Sequence, residues 1–188
     1  MRIISGNFGG RKLKAVPGRA TRPTTDKVKE SIFNMIGPYF AGGNCLDLFS
    51  GSGALGIEAV SRGMASATLV DRQFAAIKVI HENIELTKAE KQFTVLKMSA
   101  QNALQKLAGQ HCKFNLILLD PPYAKQQITS DLREMAELGL IENEAVIVCE
   151  TDSTTVLPEK LTNFKQTRRQ TYGLTAVTLY HYQEAAEV

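Results

Sequence analysis

The stretch Phe114-Asn115-Leu116-Ile117-Leu118-Leu119-Asp120-Pro121-Pro122-Tyr123 sets an apolar run directly against a carboxylate and two prolines. An apolar run of this length, bounded by breakers, reads as a buried strand. Proline donates no backbone hydrogen bond and restricts the residue before it, so paired prolines lead the chain out of the sheet in a stiff, extended form. That stiffness fixes where Asp120, the Pro121 carbonyl and the Tyr123 ring point. In an open α/β sheet, ligands bind outside the carboxyl ends of the strands, where this tetrapeptide falls. It reads as a small polar clamp with an aromatic lid, whereas a bare Asp-Pro-Pro would read as a surface turn.

Outward from this strand the chain alternates strands and helices, the grammar of an α/β domain with a mainly parallel sheet. Strands are predicted over 45–49, 67–70, 93–96, 114–119 and 145–149, and helices over 54–62, 74–86, 100–107 and 128–138. After Pro158, residues 164–171 and 174–181 pair across Tyr172-Gly173 as a closing antiparallel hairpin. At the other end, two short alternating runs around Gly6-Asn7-Phe8-Gly9-Gly10 read as a β-hairpin. Thr24 or Thr25 then caps a helix carrying Val28, Ile32, Phe33 and Ile36 on one face. Residues 1–40 are expected to form an N-terminal hairpin and helix extension, and 41–188 the α/β domain proper.

The 188 residues suit one domain with a small appendage, and 44% hydrophobic with 22% charged residues is ordinary for a soluble protein. No apolar run approaches the roughly eighteen residues of a membrane span, and the first residues lack a signal-peptide core, so a cytoplasmic protein is expected. Cys45 and Cys149 sit in apolar runs as inert thiols, and no spacing suits a metal. The net charge of +3 is unevenly spread: residues 1–29 carry eight basic side chains against Asp26 alone, so +7, and the remainder carries −4. A basic arm on a mildly acidic body is the electrostatic footprint of phosphate-backbone binding. His81, His111 and the Arg168-Arg169 pair lack organised partners in the sequence and are left outside the site.

The first strand and its loop contain Gly51, Gly53 and Gly56 in a G-x-G-x-x-G spacing, which alone is a weak signal. Asp71 ends the second strand twenty residues after Gly51, where a carboxylate can accept from both hydroxyls of a ribose. Asp47 lies inside the strand, four residues before Gly51. A pyrophosphate gains nothing from that anion, whereas a ligand with an ammonium group is held by it. This points to S-adenosyl-L-methionine.

Asp47-x-x-x-Gly51-x-Gly53, Asp71 and Asp120-Pro121-Pro122-Tyr123 resemble the cofactor loop, ribose acid and proline motif of class I methyltransferases acting on exocyclic base amines. Arg2-Ile3-Ile4-Ser5-Gly6, Gly10-Arg11-Lys12-Leu13, and Arg22-Pro23-Thr24-Thr25-Asp26-Lys27-Val28-Lys29-Glu30 resemble the RsmD family, whose members methylate N2 of a guanine in bacterial 16S rRNA. The resemblance implies a Rossmann-like fold with a mainly parallel seven-stranded sheet, a C-terminal antiparallel hairpin, and an N-terminal β-hairpin and helix. It implies cofactor contacts from Asp47, Phe49, Ser50, Gly51, Ser52, Gly53, Asp71, Arg72, Ala100 and Gln101, with Ser99 standing where many relatives carry Asp or Asn. Asp120, Pro121, Pro122 and Tyr123 are the implied catalytic set. RNA contacts are expected at Arg2, Arg11, Lys12, Lys14, Arg22, Thr24 and Lys27. A monomer acting on the small ribosomal subunit or its assembly intermediate is expected.

The guanine amine is a poor nucleophile because its lone pair is delocalised into the ring. Asp120 and the Pro121 carbonyl can each accept one of its N–H groups and favour the pyramidal form, while Tyr123 stacks on the base. Adenine-N6 methylation is the nearest alternative, since the same tetrapeptide serves that amine. A nicotinamide-dependent dehydrogenase explains the glycine loop and Asp71 but not Asp47 or the proline motif. A non-catalytic RNA-binding protein explains the basic arm but needs no nucleoside pocket.

Overall fold

The computed structural model describes residues 1–17 and 26–184. The chain runs through α1 (Asp26–Ile36), β1 (Asn44–Asp47), α2 (Ala54–Ser61), β2 (Ser66–Asp71), α3 (Phe74–Glu85), β3 (Phe93–Lys97) and α4 (Ala100–Gly109). It continues through β4 (Phe114–Leu119), α5 (Ile128–Glu137), β5 (Ile141–Asp152), β6 (Lys160–Leu161), β7 (Phe164–Tyr172) and β8 (Thr175–Tyr182). The strands form one sheet in the order β3-β2-β1-β4-β5-β8-β7-β6. The first five strands are parallel, and β8 enters antiparallel between β5 and β7. Strand order reverses between β1 and β4, which makes the carboxyl edge there the place where a ligand crevice opens.

Alternate residues of the central strands feed two cores. Cys45, Leu116 and Leu118 face α2 and α3, where Ile57, Ile77 and Ile80 meet them. Leu46, Ile117 and Leu119 face α4 and α5, where Leu104, Leu107, Leu132 and Met135 meet them. Both faces are covered, which is why the strands read as unbroken apolar runs. Among the described residues, no helix is long and apolar enough to cross a membrane.

The structure departs from the sequence reading in three places. The sheet has eight strands where seven were expected, because β6 adds two residues beside β7, reversed at Asn163 with φ of 68°. Two residues are too few to show a period. β5 begins four residues earlier than predicted, hidden by Glu142-Asn143-Glu144, and its register against β4 shifts between Phe114 and Leu116. The N-terminal hairpin is a single bridge, Arg2 to Lys12, with flanking backbone hydrogen bonds such as Ile3 N–H to Arg11 O at 2.9 Å.

The hairpin is short because the backbone on its α2 side bonds to that helix as well as across the hairpin. Ile4 and Ser5 N–H donate to the Glu58 carboxylate at 2.8 and 3.1 Å, and Phe8 N–H donates to Ser61 Oγ at 3.0 Å. At Gly6, with φ of 85°, a Cβ would fall 1.8 Å from the Ser61 carbonyl oxygen, so only glycine allows this approach. Glu58 also receives Lys29 Nζ at 3.3 Å and Arg62 Nε at 2.7 Å, all three side chains being buried. Lys29 donates in addition to the Arg2 carbonyl. Burial pulls the Lys29 ammonium below its ordinary value, with Glu58 opposing. Lys29, counted from the sequence within the basic arm of residues 1–29, is therefore an interior charge. The expected caps Thr24 and Thr25 lie outside the described residues.

Candidate active site

Register places the two motif carboxylates side by side. Asp47, the last residue of β1, pairs with Leu118 of β4, so Asp120 follows two residues beyond on the neighbouring strand. Between and above them lies a cleft of about 570 Å³, within the range of small-molecule sites. Its walls include Asp47, Phe49, Ser50, Gly51 and Ser52 from the first loop and Asp120, Pro121, Pro122 and Tyr123 from the second.

The first loop is shaped by backbone hydrogen bonds to carboxylates. Asp71 Oδ2 accepts the Gly51 N–H at 3.0 Å and Oδ1 accepts the Gln73 N–H at 2.9 Å, so the acid at the end of β2 holds the glycine turn from beside it. Asp47 Oδ2 accepts the Gly56 N–H at 3.1 Å. A Cβ on Gly56 would meet Leu69 at 2.2 Å, so the helix can approach the strand only at glycine. Asp47 is 1% exposed, and loss of water pushes its carboxyl up to about 7; the nearby Asp71 adds to the rise and the Gly56 N–H opposes it.

In the second loop, Pro121 is buried and Pro122 and Tyr123 are exposed. The Tyr123 hydroxyl donates to Glu150 Oε1 at 3.3 Å and shares a hydrogen bond with Thr175 Oγ1 at 3.1 Å. Partial loss of water around the hydroxyl raises its phenol to about 12, so it stays neutral at any ordinary pH.

Gly53, Asp71, Arg72, Ala100 and Gln101 are not among the cleft-lining residues. They stand nearby at the same sheet edge: Met98 N–H donates to the Asp71 carbonyl at 3.2 Å, which carries the start of α4 and Ala100 to that acid. Ser99 caps α4, its Oγ accepting the Asn102 N–H at 3.3 Å, and Arg72 and Gln101 are exposed. Of the expected RNA contacts, Arg2 pairs with Asp26 at 3.7 Å and Lys14 with Glu82 at 2.9 Å. The Arg11 guanidinium lies over the Phe8 ring at 5.4 Å, Lys12 and Lys27 are exposed, and Arg22 and Thr24 lie outside the described residues.

Sequence reasoning missed Met1, Ala15, Val16 and Lys29, which bring the N-terminal segment into the cleft wall, and Asp152, Leu174 and Thr175 from the last strands. Nothing local marks them, since long-range packing brings them there. Glu58 and Asn83 did leave a signal, as polar residues on helix faces that are otherwise apolar.

The cleft suits a cation. Asp47, Asp120 and Asp152 line it against a single basic side chain, Lys29, which Glu58 already holds. S-adenosylmethionine, with an ammonium and a sulfonium, matches that charge better than an anionic dinucleotide does.

The reversed strand order, the glycine loop beside it and the antiparallel β8 between β5 and β7 define a class I methyltransferase fold. A solved structure named "Putative methyltransferase yhhF from Escherichia coli" superposes with a TM-score of 0.83 at 34% identity, covering 97% of this chain and 98% of that one. The Bacillus subtilis protein named "Putative rRNA methyltransferase YlbH" is 49% identical over 180 residues, 96% of this chain and 98% of its own length. "Ribosomal RNA small subunit methyltransferase D" of Escherichia coli is 34% identical over 187 residues, 100% of this chain and 92% of its own length. The family model described as "Conserved hypothetical protein 95" matches residues 1–181, and the chain belongs to that family, the RsmD family.

Proposed function

We propose that the protein transfers a methyl group from S-adenosyl-L-methionine to the exocyclic N2 amine of a guanine in 16S rRNA, acting as a cytoplasmic monomer on the small ribosomal subunit or its assembly intermediate. The observation that carries this reading is the acid-lined cleft shared by Asp47 and the Asp120-Pro121-Pro122-Tyr123 loop. The names borne by relatives of similar length, among them a small-subunit rRNA methyltransferase, support the substrate class.

When bound, the cofactor supplies an electrophilic methyl group on a sulfonium. Asp47 would face its ammonium, with Phe49, Ser50, Gly51 and Ser52 in the wall around it; Asp71 would take its ribose hydroxyls, and Gly53, Arg72, Ala100 and Gln101 would meet the part of it that extends past the cleft along the sheet edge. Asp120 and the Pro121 carbonyl accept the two amine N–H groups, favouring the pyramidal nitrogen of the transition state. Tyr123, braced by Glu150 and Thr175, stacks on the base after it has been turned out of its stack. Residues 1–40, with Arg2, Arg11, Lys12, Lys14, Arg22, Thr24 and Lys27, hold RNA phosphates.

The test is to incubate the protein with methyl-labelled cofactor and small subunits from cells lacking the enzyme, then digest the rRNA and map label by mass spectrometry. N2-methylguanine at one position is expected. Label on adenine N6 would transfer the reading to the other amine, and no transfer to RNA would overturn it.

A further inference from the structure

One buried amide joins the N-terminal segment to the glycine loop. Asn83 lies on α3 between Ile80 and Ile84 and is 0% exposed. Its Oδ1 accepts the Lys14 N–H at 2.8 Å, and its Nδ2 donates to the Lys14 carbonyl at 3.0 Å and to the Ser52 carbonyl at 2.9 Å. Both amide N–H groups and the oxygen are thus in use, and burying such a group is tolerated only while its partners stay in place. Lys14 immediately precedes Ala15 and Val16, which line the cleft, as does Ser52 on the other side of the amide. The Lys14 side chain is not consumed by this link: its ammonium pairs with the surface carboxylate of Glu82, a salt bridge at the surface that a phosphate can displace.

The segment expected to hold RNA and the loop expected to hold cofactor therefore share a wall and a buried linker. We propose that Asn83 is a positioning residue that couples the two sites, so that RNA held at Lys12 and Lys14 fixes Ala15 and Val16 against the cleft and tightens cofactor binding. By linkage, bound cofactor tightens RNA by the same factor. The inference rests on the proposed reading of the cleft as an S-adenosylmethionine site.

The experiment is calorimetric titration of S-adenosylhomocysteine into the full-length protein, with and without a saturating 16S rRNA transcript, for wild type, Asn83→Asp and Asn83→Ala. Thermal melts of the ligand-free proteins serve as the folding control. In wild type, RNA should lower the Kd for S-adenosylhomocysteine about five- to tenfold, within the usual range of coupling between sites. Asn83→Asp keeps an acceptor for the Lys14 N–H but sets oxygen against two carbonyls, and should bring the ratio close to one, a change that loss of stability alone does not produce. A wild-type ratio of one, or a folded variant with the wild-type ratio, overturns the proposal. Should neither variant fold, amide hydrogen exchange on wild type decides: S-adenosylhomocysteine should slow exchange at Lys14, Ala15 and Val16, and protection confined to residues 50–53 overturns the coupling. No binding of S-adenosylhomocysteine by wild type overturns the cofactor reading itself, and the coupling with it.

Discussion

Asp47 carries a conflict that pH can expose. Its carboxyl holds a proton up to about 7 because burial strips it of water, while the unfolded chain releases that proton near the ordinary value of about 3.9. Between those values the folded state binds more protons, so this group's contribution to stability falls as pH rises. Asp47→Asn should therefore raise the urea midpoint more at pH 8 than at pH 5, and equal shifts at both would refute the assigned burial penalty. A ligand ammonium has the opposite preference, since it favours the ionised carboxylate. Affinity for S-adenosylhomocysteine should climb from pH 6 to pH 8 by at most about tenfold per unit below the folded pKa, and be flat in the Asn variant. Asp120 plays a different part, because its assigned partner is the target amine. Asp120→Ala should lower kcat about a hundredfold or more while leaving cofactor affinity near wild type. Single-turnover rates with saturating small subunits check it, and an unimpaired rate would remove Asp120 from the chemistry. Both carboxylates were legible in the sequence, because breakers and strand ends fix their positions. The partner of Asp47, Gly56, and those of Tyr123, Glu150 and Thr175, were not assigned, since the first bonds across a helix start and the others arrive from the last strands.

At the scale of elements, α2 does more than cover the sheet. Its pattern Ala54-Leu55-Gly56-Ile57-Glu58-Ala59-Val60-Ser61 is buried on every side, and Glu58 is the one charge in it. That carboxylate gathers two backbone N–H groups of the N-terminal segment, the Lys29 ammonium from α1 and the Arg62 guanidinium. Three pieces of chain thus meet at one buried anion, and removing it leaves two buried cations and two backbone donors without that acceptor. Glu58→Ala should cost about 3–5 kcal/mol, read as a lower urea midpoint at unchanged slope. Adding Lys29→Met should recover part of that loss, because one of the stranded charges goes with it. A double variant no more stable than Glu58→Ala would show that Lys29 is hydrated in its absence. The helices and parallel strands were readable because period and breakers agree over many residues. The N-terminal hairpin was readable as a turn between two short runs, but alternation does not show that part of its backbone also bonds to a neighbouring helix.

For the molecule as a whole, the question is which charges RNA can reach. The sequence assigns +7 to residues 1–29 as though every member were solvated. Folding sorts them: Lys29 is interior, Arg2 and Lys14 face Asp26 and Glu82, and Lys12 and Lys27 stand exposed. Counterion release counts only cations that meet phosphate, at about 0.7 to 0.9 unit of log–log slope for each. Lys12→Ala with Lys27→Ala should thus flatten the salt dependence of RNA binding by at most about two units. Lys29→Met, which removes the same charge type from the same stretch of chain, should leave the slope unchanged at a temperature where its melt shows it folded. The measurement is RNA affinity across a salt series for the three proteins. If Lys29→Met flattened the slope as much as one surface lysine does, the interior ion pair would have to open when RNA binds. If the double variant kept the wild-type slope, Lys12 and Lys27 would meet no phosphate, and contact would have to be sought at the remaining cations of residues 1–29, or at the exposed Arg168 of β7.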